Sequence, residues 1–184
     1  MPVLLANYPL MFVFMLPAII FFLRFLVQYS GCNYYHRFSQ FLFIVTKPFN
    51  KLFNNMSAGD ISVASLLNML LSAELGLCVF FYLSGWIGSL IQLFILNLVF
   101  LAWGIVEVLI IPLIVTAVLS WIPKLIGINY YLLTMLKPLI APFDRFIPRI
   151  GVISLSFLAV FLLMTFVDQY AMPAVFRFFS KIQF

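Results

Sequence analysis

Glu74 and Glu107 lie inside long apolar runs, and they are the residues best placed to do chemistry. An ionised group in hydrocarbon is costly, so such a side chain faces protein or water and marks an ion path or a helix-pairing contact. Counted from the ends of their runs, both lie about 18–20 Å deep at ~1.5 Å per residue. Two carboxylates at one depth could bind a cation or relay a proton. The other reading, which is favoured, bonds them to polar neighbours such as Asn68, Ser72 and Asn97 as glue between helices. His36 has no second His and no Cys pair beside it, so metal ligation and general-base chemistry are not expected. Cys32 and Cys78 show no CxxC spacing and read as two free thiols. Nothing resembles a Ser-His-Asp set or a Gly-rich phosphate loop. The expectation is a protein that is not an enzyme and holds no cofactor or metal.

The elements that carry these residues follow from composition. With 66% hydrophobic and 8% charged residues and a mean hydropathy of +1.20, 184 residues cannot hide their apolar surface in a soluble core. Lipid must cover part of it. The class is an all-α membrane protein with about four spans, at 8–29, 61–83, 98–120 and 152–172. The first apolar run has no Lys or Arg before it and exceeds a signal-peptide core of ~7–15 residues, so a retained span is expected. The stretch 84–97, SGWIGSLIQLFILN, is either a tight turn plus an interfacial piece or a lengthening of the third span, and a fifth span is the alternative count.

The net charge of +5 is dispersed, which points to membrane orientation and not to nucleic acid. Arg37, Lys47 and Lys51 lie between the first two spans, and Lys124, Lys137, Arg145 and Arg149 between the last two. Both basic segments are therefore expected on the cytoplasmic side, with both termini outside. Arg24, near the end of the first span, is expected to snorkel to headgroups.

The two halves share a phrase. Pro48 aligns with Pro138 and Phe53 with Phe143 at one common offset; then Gly59, Ile61 and Ser62 match Gly151, Ile153 and Ser154. The expected organisation is a first repeat at 1–83, a connector at 84–97 and a second repeat at 98–184, the two repeats running parallel. Each holds an amphipathic segment, 38–58 or 130–150. In the first, Val45, Phe49, Leu52, Phe53 and Met56 oppose Thr46, Lys47, Asn50, Lys51, Asn54 and Asn55. In the second, Leu136, Leu139, Ile140, Phe143 and Ile147 oppose Lys137, Asp144 and Arg145. This period suits a membrane-parallel helix with its apolar face at the acyl boundary and its polar face in water. Pro48, Pro138, Pro142 and Pro148 are expected to break these helices, Gly59 and Gly151 to turn the chain, and Ser62 and Ser154 to cap the next span.

CNYYHRFSQFLFIVTKPFNKLF and SWIPKLIGINYYLLTMLKPLIAPFDRFIPRIG resemble the two copies of the YggT family signature, and the resemblance covers about Arg24 to Leu163. The family pattern reads P-x3-P-[LI]-R-R, then I-P and G-x-[IL]-D. Here Leu52 replaces the second Pro, Asn54 and Asn55 the basic pair, and Ser62 and Ser154 the Asp, while the second copy keeps Pro142, Arg145 and Pro148. The resemblance implies a small integral protein of the bacterial inner membrane, linked to envelope, cell-division or osmotic-stress physiology.

The expected function is a non-enzymatic scaffold or assembly factor at the cytoplasmic leaflet. Its partners would be the lipid bilayer and other membrane proteins or a second copy of itself, and no nucleic acid. The candidate surface is Lys47, Pro48, Phe49, Phe53, Lys137, Pro138, Pro142, Phe143, Arg145, Pro148 and Arg149. The alternative is a small oligomeric cation channel or transporter using Glu74 and Glu107.

Overall fold

A lipid-covered chain has to satisfy its backbone within each segment, and helices are the way it does so here. In the computed structural model the described residues are 8–53, 56, 57, 62–83, 85, 90–147 and 155–181, with no strand among them. The order is α1 (Tyr8–Tyr29), α2 (Arg37–Asn50), α3 (Val63–Leu83), α4 (Leu90–Leu119), α5 (Ile126–Asp144), α6 (Leu155–Phe166) and α7 (Met172–Lys181). A 3-10 turn, Lys51–Phe53, follows α2, another, Pro123–Leu125, precedes α5, and a wide π turn, Val167–Ala171, carries α6 into α7.

Four segments are long and apolar enough to cross a membrane: Phe12–Tyr29, Val63–Leu83, Leu93–Leu119 and Ser156–Val175. Of the two readings open for 84–97, the longer third helix is the one seen: α4 begins at Leu90 and takes in QLFILN. Those residues are as apolar as the span itself, so nothing stops the helix. Its 30 residues are about 45 Å long at ~1.5 Å rise, which a bilayer accommodates by tilt. The helix that carries the last span runs on through the π turn to Lys181, while its apolar crossing segment ends at Val175. One expectation needs correction: Pro48, Pro138 and Pro142 do not break the amphipathic helices. Pro48 lies inside α2, and Pro138 and Pro142 inside α5. A proline forfeits one backbone bond, and membrane helices tolerate that when neighbours satisfy the freed carbonyl.

The ends are built by local chemistry. Ser62 caps α3, its Oγ accepting from the Ser65 N–H at 3.4 Å. At the end of α1, Cys32 N donates to Val27 O and Gly31 N to Gln28 O, both at 3.1 Å, with Gly31 at φ +65°. This is a Schellman closure, and the left-handed residue it needs is the glycine. Gly59, Gly151 and Ser154, expected to turn and cap the chain, lie outside the described residues.

Packing divides the chain into two compact units. One comprises Met1–Phe25 with Gln40–Ile105, the other Leu26–Ser39 with Val106–Phe184. In the first, Phe80, Phe81, Phe100 and Trp103 form a buried aromatic run, Phe81 and Phe100 lying 6.2 Å apart and Phe100 stacked on Trp103 at 6.4 Å. In the second, Leu113, Tyr131, Met135, Leu136, Ile140 and Val160 are buried.

Candidate functional site

The first amphipathic helix splits the polar face expected of it: Lys47 and Lys51 are exposed, but Thr46 and Asn50 turn inward. Ser39, Leu42, Thr46 and Asn50 are buried, while Phe41, Ile44, Val45 and Phe49 are exposed. For Thr46 and Asn50 the reason is a set of partners inside the first unit. Arg24, also buried, donates from Nη1 to Thr46 Oγ1 at 2.6 Å, and its guanidinium lies 4.7 Å over the Phe43 ring. Thr46 Oγ1 donates onward to Leu42 O. Turned toward the guanidinium, Asn50 Oδ1 accepts from Arg24 Nη2 at 3.2 Å and Nε at 3.3 Å. Asn68 Nδ2 donates to Ala64 O at 2.8 Å and Phe49 O at 3.3 Å, and lies 3.0 Å from the Asn50 amide. Ser65 bonds Asn50 at 3.0 Å and Ser62 at 2.9 Å. Arg24 therefore does not snorkel. A cation with polar partners at hand in a low-dielectric interior keeps them in preference to headgroups.

The second amphipathic helix, α5, buries Tyr131, Met135, Leu136 and Ile140. At the offset that aligns the shared phrases, Leu136 and Ile140 stand where Thr46 and Asn50 stand in α2. The same register is buried in both, polar in the first and apolar in the second. The loop after α1 is fastened to α5 within the second unit. Ser30 Oγ lies 2.8 Å from Met135 O and 2.6 Å from Leu26 O. Ser39 Oγ donates to Asn33 O at 2.9 Å and so accepts from Tyr131 Oη, 2.7 Å away. The His36 ring stacks on Tyr131 at 3.9 Å and 16°. Burial raises the Tyr131 hydroxyl above its ordinary range, with Ser39 pulling the other way.

Burial also pushes the Cys32 thiol up to about 11. Thiolate is the reacting form, so Cys32 is an inert thiol at neutral pH. In a Cys78→Ala background, maleimide should label Cys32 roughly 100-fold more slowly at pH 7.5 than a free thiol. The rate should climb about tenfold per pH unit up to about 11. Labelling that levels off near pH 9 would show Cys32 to be open to solvent.

The remaining expected residues are placed as follows. Lys47, Pro48 and Phe49 are exposed and Phe53 is half-buried; Lys137, Pro142 and Arg145 are exposed, and Pro138 and Phe143 half-buried. Pro148 and Arg149 lie outside the described residues. Glu74, half-buried on α3, accepts from Asn97 Nδ2 at 2.7 Å, one of the bonds expected of it. Asn68 and Ser72 do not join it. Asn68 serves α2, and Ser72 Oγ donates to Met69 O at 3.1 Å. Glu107 is half-buried on α4, in the second unit. Among the described residues no three His, Cys, Asp or Glu converge. The sequence reading missed the Arg24 cluster. Its signal was the four-residue step Leu42, Thr46, Asn50, a partly polar stripe on an otherwise apolar helix.

Four apolar crossing helices, with polar side chains bonded between α1, α2 and α3, define a multi-pass helical membrane protein. The chain belongs to the CCB3/YggT family, whose model matches residues 80–175. It is 28% identical over 160 residues to the uncharacterized protein YggT of Escherichia coli strain K12, covering 83% of this chain and 81% of that one. It is also 28% identical over 157 residues to the uncharacterized protein PA0392 of Pseudomonas aeruginosa, covering 82% and 80%. No solved structure matches. The family match takes in α4, α5 and α6, and the first amphipathic segment lies before it.

Proposed function

We propose that the protein is a non-enzymatic scaffold or assembly factor for other membrane proteins, acting at the cytoplasmic leaflet of a bacterial inner membrane. The observation that carries this reading is the two-sidedness of the second segment. One side of α5 is locked by Tyr131, Met135, Leu136 and Ile140. Trp121, Tyr130 and Phe146 are 84%, 74% and 86% exposed, and Lys124, Lys137 and Arg145 are exposed among them. Exposed aromatic and arginine side chains are the residue types that anchor protein partners, and these lie on α5 and in the turns at its two ends. The concentration of Lys and Arg between spans supports cytoplasmic placement of both segments, with the termini outside.

The test is crosslinking and co-purification from native membranes, comparing the natural chain with Tyr130→Ser, Lys137→Glu, Arg145→Glu. Loss of specific co-purifying membrane proteins is expected from a variant that keeps its thermal midpoint. An unchanged set would end the scaffold reading.

A further inference from the structure

The inward polarity of α2 says what covers its outer side. Phe41, Ile44, Val45 and Phe49 are 57%, 71%, 39% and 52% exposed, while Ser39, Thr46 and Asn50 are 0–1% exposed. In water the hydrophobic effect favours the reverse, by about 1.5–3 kcal/mol for each large apolar side chain. A helix lying among headgroups would also turn its polar side outward. Hydrocarbon favours this arrangement, because there polar groups must find partners inside and apolar groups cost nothing outside.

Depth can be read from two spans separately. Thr46 is held by Arg24, five residues before α1 ends at Tyr29. The carbonyl of Phe49, next to Asn50, accepts from Asn68 Nδ2, five residues after α3 begins at Val63. At ~1.5 Å per residue, each contact lies about 7–8 Å inside the end of its span. The start of α2 is at loop level instead, where Ser39 Oγ donates to Asn33 O at 2.9 Å. The helix thus descends from the loop into the level of the spans, and its exposed cations, Lys47 and Lys51, have apolar stems that can run back toward the headgroups.

We propose that α2 is a re-entrant helix sunk into one leaflet, and that Phe41, Ile44, Val45 and Phe49 form a surface for lipid acyl chains. This rests on the membrane class of the protein and not on the scaffold role, so either can fail without the other.

The test uses the full chain, with Cys32 and Cys78 replaced by Ala, in phosphatidylglycerol–phosphatidylcholine vesicles. A nitroxide is placed singly at residue 41, 44 or 49, or at Tyr35, which is 81% exposed in the loop. Dissolved oxygen should dominate collisions at 41, 44 and 49, and a water-soluble nickel chelate should dominate at 35. Nickel-dominated collisions at 44 and 49 would overturn the proposal. So would spin–spin broadening that vanishes on dilution with unlabelled protein, since a second copy would then cover the face. Hydroxyl-radical footprinting of the unaltered chain gives a second measurement free of substitutions. Tyr34 and Tyr35 should be oxidised while Phe41 and Phe49 are spared, and equal oxidation of all four would sink the idea.

Discussion

Asn50→Leu should lower the thermal midpoint of the full chain in mild detergent by about 6–12 °C. The residue is 1% exposed, and its amide oxygen can accept from both Nη2 and Nε of Arg24. Hydrogen bonds to a charged group contribute about 1.5–3 kcal/mol each, and leaving the donors buried and unmet costs the larger part of that. A total of about 3 kcal/mol converts at ~2–4 °C per kcal/mol for a chain of this size. Arg24→Met with Asn50→Leu should be less damaging than the sum of the two single changes, because replacing a whole buried polar group by apolar side chains of similar volume is often neutral. Differential scanning of the four proteins closes the cycle. A midpoint for Asn50→Leu within about 2 °C of the natural chain would show that Asn50 does not hold the guanidinium.

The same cluster shows where a sequence stops being informative. The ends of α1 and α3 were legible to within two residues, since bilayer thickness imposes length and apolarity together. The start of α4 was not, because QLFILN is equally good as the rim of one span or the body of another. The faces of α2 were legible in part, from Val45 and Phe49 against Thr46 and Asn50, while Lys47 and Lys51, grouped with the polar residues, lie exposed. Which face turns inward was not, since a helical wheel is the same for a helix lying on water and one sunk in lipid. That choice depends on Arg24, Ser65 and Asn68, which come from other helices. The bond between Glu74 and Asn97 was foreseeable for the opposite reason. A carboxylate and an amide in successive spans have few other polar groups to choose from.

Gly76 is the position where one methyl group should matter most. A Cβ built there would lie 2.3 Å from the Phe14 carbonyl oxygen and 3.2 Å from its carbon. Both are backbone atoms, so no rotamer change can make room; α1 and α3 would have to move apart through a packed region that includes Ala73, Leu77 and Phe80. Gly104 is the control. A Cβ there meets only the end of the Met15 side chain, Cε at 2.9 Å and Sδ at 3.6 Å, and a thioether can swing away. Alanine is worth about 1 kcal/mol over glycine inside a helix, a gain both substitutions receive. Gly104→Ala should therefore melt within about 2 °C of the natural chain, or slightly above it. With only backbone atoms to yield, overpacking at Gly76→Ala should cost about 3 kcal/mol, the upper end of the usual range. About 2 kcal/mol is then lost net, and the midpoint falls by roughly 4–8 °C. Parallel melts of the two variants decide the matter. If Gly76→Ala were as stable as Gly104→Ala, the close approach of α1 to α3 at Phe14 would be wrong, since no flexible atom is present there to absorb the added carbon.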